Sequence, residues 1–209
     1  MDTLSQRPRL GVLGGTFNPV HLGHLIMAKD ALEQFELSKV LFVPCAQPPH
    51  KSPTELAPAR HRLAMLEAAV EGDLHFEVSD MEIQRGGVTY TIDTLRVLAE
   101  NNPEAEICFI IGADSLMELH LWKDISHLLK LCRIVTIARP GVDLAALHKL
   151  NLNLPDPWPE RLLADVRSGH MIDISSTDIR YRVAEGMCIR YLVSPAVDMY
   201  ITEHSLYRR

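Results

Sequence analysis

Two histidines three residues apart follow a pair of adjacent glycines near the start of this chain. The segment reads GGTFNPVHLGH, Gly14–His24, and it comes directly after the short apolar run Leu10–Leu13. Small residues let backbone amides approach an anion closely, and a helix N-terminus adds partial positive charge. If a helix begins here, the side chains of His21 and His24 converge, because residues three apart on a helix share a face. The segment therefore predicts a phosphate site.

Other kinds of site fit the same segment less well. A dinucleotide site would need GxGxxG and an acidic residue after the second strand, where the chain has Val43–Cys45, and a P-loop would need GK[ST]. A metal site could use His50 as a third ligand, but no suitably spaced carboxylate or cysteine completes it. Isolated histidines are most often core or capping residues, and the adjacent Gly-Gly-Thr is what favours phosphate instead.

A second segment, ISSTDIR at Ile174–Arg180, also predicts an anion site. It puts hydroxyl groups at the expected start of a helix, with an arginine one turn further in. Taken alone, serine, threonine or aspartate before a helix is commonly only an N-cap. Together with the histidine segment, it predicts a binding function.

Three further segments carry groups that could recognise a ligand. FIIGAD, Phe109–Asp114, ends an apolar run with a carboxylate that could meet a ribose or base, and Trp122 follows eight residues later. GGVTYTIDT, Gly86–Thr94, combines a turn with a helix start whose amides and hydroxyls could receive a carboxylate. PPHK, Pro48–Lys51, is a stiff loop that presents one cation. Taken alone, these features indicate a core aromatic, a helix cap and a solvated lysine.

The elements that must position these segments alternate between short apolar runs and amphipathic stretches. Continuous apolar runs such as CFII and IVTI suit strands buried on both faces of a parallel sheet. We expect an α/β fold, a Rossmann-like doubly wound parallel sheet with a small C-terminal helical portion, in which ligands bind beyond the carboxyl ends of the strands. The predicted strands are Leu10–Leu13, Val40–Pro44, His75–Ser79, Ile107–Ile111 and Arg133–Ala138.

Helices are predicted between these strands from the spacing of apolar residues. The proline-rich stretch Pro155–Pro159 reads as a surface connection, and Ser194 with Pro195 suits the start of a final helix through about His204. We expect residues 1–209 to form a single domain. The positions at helical spacing are Leu22, Leu25, Ile26, Leu32 and Phe35, then Leu63, Leu66, Ala69 and Val70, then Leu116, Leu119, Leu128 and Leu129.

Composition restricts the class of protein and its partners. Of 209 residues, 47% are hydrophobic and 23% charged, which is ordinary for a soluble globular chain. A net charge of −6 and a pI near 5.9 argue against nucleic-acid and anionic-membrane partners. The four cysteines are far apart and form no CxxC pair, so neither a zinc ribbon nor a disulfide framework is expected. With no signal-peptide pattern and no apolar run of membrane-spanning length, we expect a cytoplasmic protein.

Gly14–His24 resembles the HxGH signature of the nucleotidyltransferase superfamily, and its long form is similar to that of bacterial nicotinate-mononucleotide adenylyltransferases. The later segments resemble this family's ISSTxxR, GADxxxxxxxW, SYTxDTL and PPHK motifs, with Thr89 in place of the usual serine. Class I aminoacyl-tRNA synthetases share a related HxGH, but they are larger and carry a KMSKS-type loop that is not visible here. The resemblance extends from Gly14 to Arg180.

The resemblance implies a role for each matching residue. Charge stabilisation during catalysis, together with ATP binding, falls to His21, His24 and Arg180. The other residues implied in ATP binding are Gly14, Gly15, Thr16, Phe17, Gly112, Asp114, Ser175, Ser176 and Thr177. Binding of nicotinate mononucleotide is implied for Asn18, Lys51, Thr89, Tyr90, Thr91, Trp122 and Arg139. Mg²⁺ is expected to arrive with ATP, held mainly by phosphates and water.

The implied reaction is attack by the phosphate of nicotinate mononucleotide on the α-phosphorus of ATP. It yields nicotinate adenine dinucleotide, which is deamido-NAD, and pyrophosphate, a step of NAD biosynthesis. Because the attacking phosphate is already anionic, alignment and charge stabilisation suffice without a general base. The alternatives are an adenylyltransferase for nicotinamide mononucleotide or phosphopantetheine, and a non-catalytic nucleotide-binding sensor domain. We expect a monomer or a small homo-oligomer.

Overall fold

A single parallel sheet organises the chain in the computed structural model, which describes residues 7–49, 56–138 and 151–208. Within these ranges six strands pair in the order β3-β2-β1-β4-β5-β6. All the pairings between neighbours are parallel. The strands are β1 Arg9–Gly15, β2 Lys39–Pro44, β3 Phe76–Val78, β4 Glu106–Gly112, β5 Arg133–Ala138 and β6 Val166–Ser168.

The strand order reverses between β1 and β4, at the centre of the sheet. The chain moves outward from β1 to β3 on one side and then returns to begin the other side with β4. At the carboxyl edge, Gly15 of β1 lies beside Pro44 of β2, and Gly112 of β4 lies beside Ile137 of β5. The connections that leave β1 and β4 diverge here, which opens the crevice where such sheets bind ligands.

The described ranges contain nine α-helices and one 3₁₀ turn, and the last two helices follow the last strand. The longest helix, α1, has 13 residues. Among the described residues no helix is both long and apolar enough to cross a membrane. The helices are α1 Leu22–Gln34, α2 Ala59–Val70, α3 Met81–Arg85, α4 Thr91–Asn101, α5 Ala113–Met117, the 3₁₀ turn Leu119–Leu121, α6 Ile125–Leu131, α7 Trp158–Ala164, α8 Ser176–Ala184 and α9 Pro195–Glu203.

Two hydrophobic layers cover the two faces of the sheet. Helices α1, α2, α8 and α9 pack on one face, and α4 to α7 pack on the other. Strand β4 shows why its apolar run is continuous: Cys108 and Ile110 join the first layer, whereas Ile107, Phe109 and Ile111 join the second. Successive side chains of a strand point to opposite faces, so a strand with both faces covered needs apolar residues at every position.

The structure confirms the doubly wound α/β fold and all five predicted strands; β5 has the predicted bounds, and the ends of the other four differ by at most two residues. Sequence analysis missed β6, because its three residues, Val-Arg-Ser, are too short and polar to stand out. The third predicted helical stretch is divided into α5, a 3₁₀ turn and α6. The proline-rich connection is shorter than predicted, since α7 already begins at Trp158 with a proline in its first turn, where proline is tolerated. The final helix begins at Pro195 as predicted, with Ser194 as its N-cap.

Candidate active site

A cavity of about 380 Å³ opens at the carboxyl edge of the sheet, between β1 and β4. It lies at the crevice that the strand order predicts. Nine residues singled out from the sequence line it, namely Gly14, Gly15, Thr16, His24, Thr89, Thr91, Gly112, Asp114 and Trp122. Other lining residues include Cys45, Pro48, Pro49, Glu82, Thr94 and Phe109.

A larger groove of about 960 Å³ lies at the opposite edge, where β1, β4 and β5 begin. Its central charges are paired with one another. Arg9 Nε donates to Glu106 at 3.1 Å, and Arg133 donates two hydrogen bonds to Asp165 at 2.6 and 2.8 Å. The bonds to Asp165 raise the pKa of Arg133. These pairs join neighbouring strand ends, and the nucleotide motifs lie at the other edge.

The two histidines of the first motif meet at the start of α1. His21 is the N-cap and is buried, and His24 lies in the first turn. Their rings stack with centroids 3.7 Å apart, as the helical spacing predicted. Gly23 permits this arrangement, because a Cβ atom at that position would lie 3.1 Å from Nδ1 of His21. The histidine segment therefore forms one compact group beside the cavity.

His24 also caps the helix. The backbone amide of His21 donates to Nδ1 of His24 at 3.3 Å. Since Nδ1 accepts this bond, the neutral ring carries its proton on Nε2 and can donate from that atom. His24 thus has the capping role that the sequence left open, and it also lines the cavity.

The loop between β1 and α1 is held from inside the protein. Phe17 is 2% exposed, has a left-handed backbone with φ of 47°, and packs its ring edge-on to His24 at 5.0 Å. Asn18 is 3% exposed, and its Oδ1 accepts from the amide of Ala57 and the hydroxyl of Tyr207, each at 3.0 Å. Asn18 does not line the cavity. Its side chain holds protein groups, which the predicted role in substrate binding did not anticipate.

Helix α8 brings the second motif against this same loop. Ser175 is its N-cap and accepts from the amide of Asp178 at 3.1 Å. Ser176 Oγ donates to the carbonyl of Pro19 at 2.9 Å, and Arg180 Nη1 donates to the carbonyl of Asn18 at 2.9 Å. The amino ends of α1 and α8 therefore flank one loop.

Arg180 is further held by Thr177, whose Oγ1 accepts from its Nη2 at 3.4 Å. The segment that leads into α8 is fixed to α1 by Asp30, a buried carboxylate. Asp30 accepts from the backbone amide of His170 at 2.8 Å and from its ring Nδ1 at 2.5 Å. The relative position of α1 and α8 thus depends on at least two sets of contacts.

On the other side of the cavity, α4 presents its amino end. Thr91 is the first helical residue and lines the cavity. The amide of Thr89 already donates to the carbonyl of Gln47 at 3.1 Å, which ties the loop after β2 to this segment. Of the amides expected to receive a carboxylate, those that begin α4 fit better than that of Thr89, because the first amides of a helix lack intrahelical acceptors.

Two aromatic residues stand near this end. The ring of Trp122 lines the cavity and meets Phe109 edge-on, with centroids 6.0 Å apart and planes at 75°. Tyr90, the N-cap of α4, lies under the ammonium of Lys123 at 3.9 Å and does not line the cavity. Trp122 is thus available for stacking on a ligand ring, whereas the Tyr90 ring already contacts a cation.

Arg62, on α2, is a site residue that sequence analysis missed. It is 1% exposed, and its guanidinium donates to four carbonyl oxygens at 2.7 to 3.0 Å. Helical spacing could have found it, because it lies four residues before the core residue Leu66 and so shares its face. The guanidinium joins the loop after β1, the loop after β2 and the segment before α2 through the carbonyls of Thr16, Cys45, Ala46 and Ala57.

Glu82 was also missed, and it places a buried carboxylate in the cavity wall. The hydroxyl of Thr94 donates to Glu82 and accepts from Arg85 at 3.1 Å. The Thr94 hydroxyl therefore links the Glu82 carboxylate to the Arg85 guanidinium. Nearby, burial raises the pKa of the Cys45 thiol, although the charge of Arg62 opposes the effect.

Three candidate residues, His50, Lys51 and Arg139, lie outside the described residues. Asp114 is exposed at the start of α5 and lines the cavity. In residues 7–49, 56–138 and 151–208 no group of three or more histidine, cysteine, aspartate or glutamate side chains is arranged to hold a metal ion.

Comparison with known proteins identifies the family. The sequence model of the cytidylyltransferase-like family matches residues 12–182. The "probable nicotinate-nucleotide adenylyltransferase" of Desulfitobacterium hafniense is 44% identical over 201 residues, covering 96% of both chains. The protein of the same name from Thermomicrobium roseum is 42% identical over 200 residues, covering 96% of this chain and 92% of the other.

Solved structures agree on the fold. Plasmodium falciparum nicotinic acid mononucleotide adenylyltransferase complexed with NaAD superimposes with a TM-score of 0.73 at 19% identity, covering 96% of this chain and 97% of that chain. The same enzyme complexed with APC gives a TM-score of 0.73 at 18% identity. The family match and the sequence identity to the relatives over almost the full length both show the family of this chain. The chain belongs to the cytidylyltransferase-like family, and within it to the nicotinate-nucleotide adenylyltransferases.

Proposed function

We propose that this protein transfers the adenylyl group of ATP to nicotinate mononucleotide, forming nicotinate adenine dinucleotide and pyrophosphate in NAD biosynthesis. The observation that carries the proposal is the contact between α8 and the loop before α1. Ser176 and Arg180 bond the carbonyls of Pro19 and Asn18, each at 2.9 Å. Two helix amino ends thus flank one loop beside one cavity, an arrangement suited to a triphosphate. A sensor that only binds a nucleotide would not need both.

Each part of the site has a task in this proposal. Mg-ATP binds with its phosphates along the glycine loop and the start of α8, where Arg180 neutralises charge. The α-phosphorus faces His24, whose Nε2 proton is directed at the oxygen that gains charge during attack. The phosphate of nicotinate mononucleotide is the nucleophile, and no protein base removes a proton. Catalysis therefore rests on alignment and charge stabilisation.

Selectivity for nicotinate over nicotinamide follows from the amino end of α4. Its partial positive charge and outward amides favour a carboxylate. A nicotinamide NH₂ group in the same place would set donors against donors and leave them unpaired. Glu82 would repel the carboxylate of the substrate, but the Thr94 hydroxyl donates to Glu82 and accepts in turn from Arg85. Trp122 supplies the surface on which the pyridine ring stacks.

The test is pyrophosphate release with Mg-ATP and either nicotinate or nicotinamide mononucleotide, compared as kcat/KM. We expect a clear preference for nicotinate mononucleotide. Equal efficiency with the two would disprove the selectivity argument, and phosphopantetheine in a third arm checks the remaining enzyme alternative. No release with any acceptor, despite ATP binding, would favour the sensor domain.

Several properties stay predictions. We propose that residues 1–209 form one nucleotidyltransferase domain, because both core layers share one sheet. Mg²⁺ is proposed to enter as Mg-ATP with oxygen ligands from phosphates and water. Lys51 and Arg139 are proposed to contact the pyridine mononucleotide. A cytoplasmic location, a monomer or small homo-oligomer, and the absence of nucleic-acid and membrane partners are likewise proposed.

A further inference from the structure

The chain after α9 turns back toward the active-site loop. Ser205 and Tyr207 both have left-handed backbones, with φ of 49° and 62°. The amide of Leu206 donates to the carbonyl of Ile201 at 3.0 Å, which fixes the turn. Left-handed backbone is unfavourable for residues other than glycine, so contacts elsewhere must hold this conformation. Leu206 and Tyr207 supply such contacts by packing against the first core layer.

The hydroxyl of Tyr207 reaches the active-site loop. It donates to Oδ1 of Asn18 at 3.0 Å. Burial raises the pKa of this phenol, although the charges of Arg180 and Arg62 oppose the rise. The hydroxyl therefore keeps its proton at neutral pH and remains a donor.

Asn18 connects this hydroxyl to the second phosphate motif. Its side chain accepts from Tyr207, and its backbone carbonyl accepts from Arg180 Nη1 at 2.9 Å. One buried residue thus links the last helical region of the chain to the arginine proposed to hold the triphosphate. A guanidinium recognises phosphate through a planar fork of donors, so its orientation matters as well as its charge.

We propose that Tyr207 is a positioning residue for the triphosphate side of the site, acting through Asn18 on Arg180. The inference rests on the proposed function. Without the hydroxyl, Asn18 keeps the amide of Ala57 as a donor to Oδ1, so the loop stays folded. Asn18 loses the Tyr207 donor to Oδ1, its carbonyl is less well fixed, and Arg180 holds ATP less well.

The decisive variant is Tyr207→Phe, which removes one oxygen atom and keeps the packed ring. A neutral hydrogen bond contributes roughly 0.5–1.5 kcal/mol, about a two- to tenfold change. We expect KM for Mg-ATP to rise by about this factor, while KM for nicotinate mononucleotide stays within twofold. The matched control is Tyr191→Phe, because Tyr191 is 80% exposed. It should leave both constants unchanged.

Two further measurements separate positioning from mere stability. The rise in Tm that Mg-ATP alone produces should be smaller in Tyr207→Phe than in the wild type, which needs no turnover. The double variant Asn18→Ala, Tyr207→Phe should have no higher KM for ATP than Asn18→Ala alone, because Tyr207 acts on Arg180 through Asn18.

The outcomes are distinct from those of the proposed function. A wild-type protein that binds Mg-ATP but releases no pyrophosphate contradicts the function, and the Tm comparison then still tests Tyr207. A Tyr207→Phe variant with a lower Tm but with unchanged KM and unchanged ATP-induced shift overturns the positioning role. Equal increases in KM for both substrates would overturn it as well.

Discussion

Replacing His24 by alanine tests the core of the proposed chemistry. His24 lines the cavity, stacks on His21 with centroids 3.7 Å apart, and holds its proton on Nε2 because Nδ1 accepts the His21 amide. Loss of one preorganised donor to a developing oxyanion costs about 2.7–4 kcal/mol, or about 10²–10³ in kcat. Loss of the cap costs stability as well, about 0.5–2 kcal/mol. Typical domains have about 5–15 kcal/mol of stability, so the variant should remain folded.

The assay is pyrophosphate release at saturating substrates, with thermal melting to verify the fold. We expect kcat of His24→Ala to fall at least a hundredfold, with smaller changes in KM. The matched control is His75→Ala, an exposed histidine just before β3, at the opposite edge of the sheet. It should keep wild-type kcat. A folded His24→Ala variant that turns over within about threefold of the wild type would refute the assigned role.

Three other predictions follow from the residues around the cavity. Arg62→Met leaves buried carbonyls without their donor and should lower the free energy of unfolding by at least about 3 kcal/mol in urea titration. The control Arg60→Met, at an exposed position, should change the free energy of unfolding by less than about 0.5 kcal/mol. Similar losses in the two variants would contradict the role of Arg62 in holding the loops. Arg85→Gln leaves Glu82 less compensated and should raise KM for nicotinate mononucleotide about two- to fivefold but not KM for ATP, and parallel rises in both would contradict this role. A thiol-specific disulfide reagent at pH 8 should titrate one cysteine, the exposed Cys188, and all four only in denaturant. Burial raises the pKa values of Cys108 and Cys132 to about 12, so only about one such thiol in ten thousand is ionised at pH 8; rapid reaction of a second cysteine would show that burial is incomplete.

Much of the fold could be predicted because its pattern is local. The inner positions of strands β4 and β5 are almost all apolar since helices cover both of their faces, and that composition is visible in the sequence. The start of helix α9 could be predicted from Ser194 and Pro195. Strand β6 could not be predicted, because its three residues pair with β5 only once the rest of the sheet exists to receive them.

The candidate site likewise combines local features that the sequence predicted with long-range contacts that it did not. The sequence by itself determined which groups are present and which of them lie on one helix turn, because the 3.6-residue period fixes that geometry within α1 and α8. It therefore predicted that His21 and His24 converge and that the hydroxyl groups of Ile174–Arg180 lie at the start of a helix. These are contacts between residues only a few positions apart.

Only the tertiary structure decided what holds those groups in place. Arg62 bonds carbonyls up to 46 residues away, and the Tyr207 hydroxyl reaches Asn18 across 189 positions. Neither residue belongs to a motif, and helical spacing indicates only that Arg62 shares a face with the core residue Leu66. A hydrogen bond acts only over about 3 Å, so distant residues acquire such partners when packing of the two core layers brings their segments together. The sequence motifs thus predicted which chemical groups are present, and the folded chain decided how those groups are positioned.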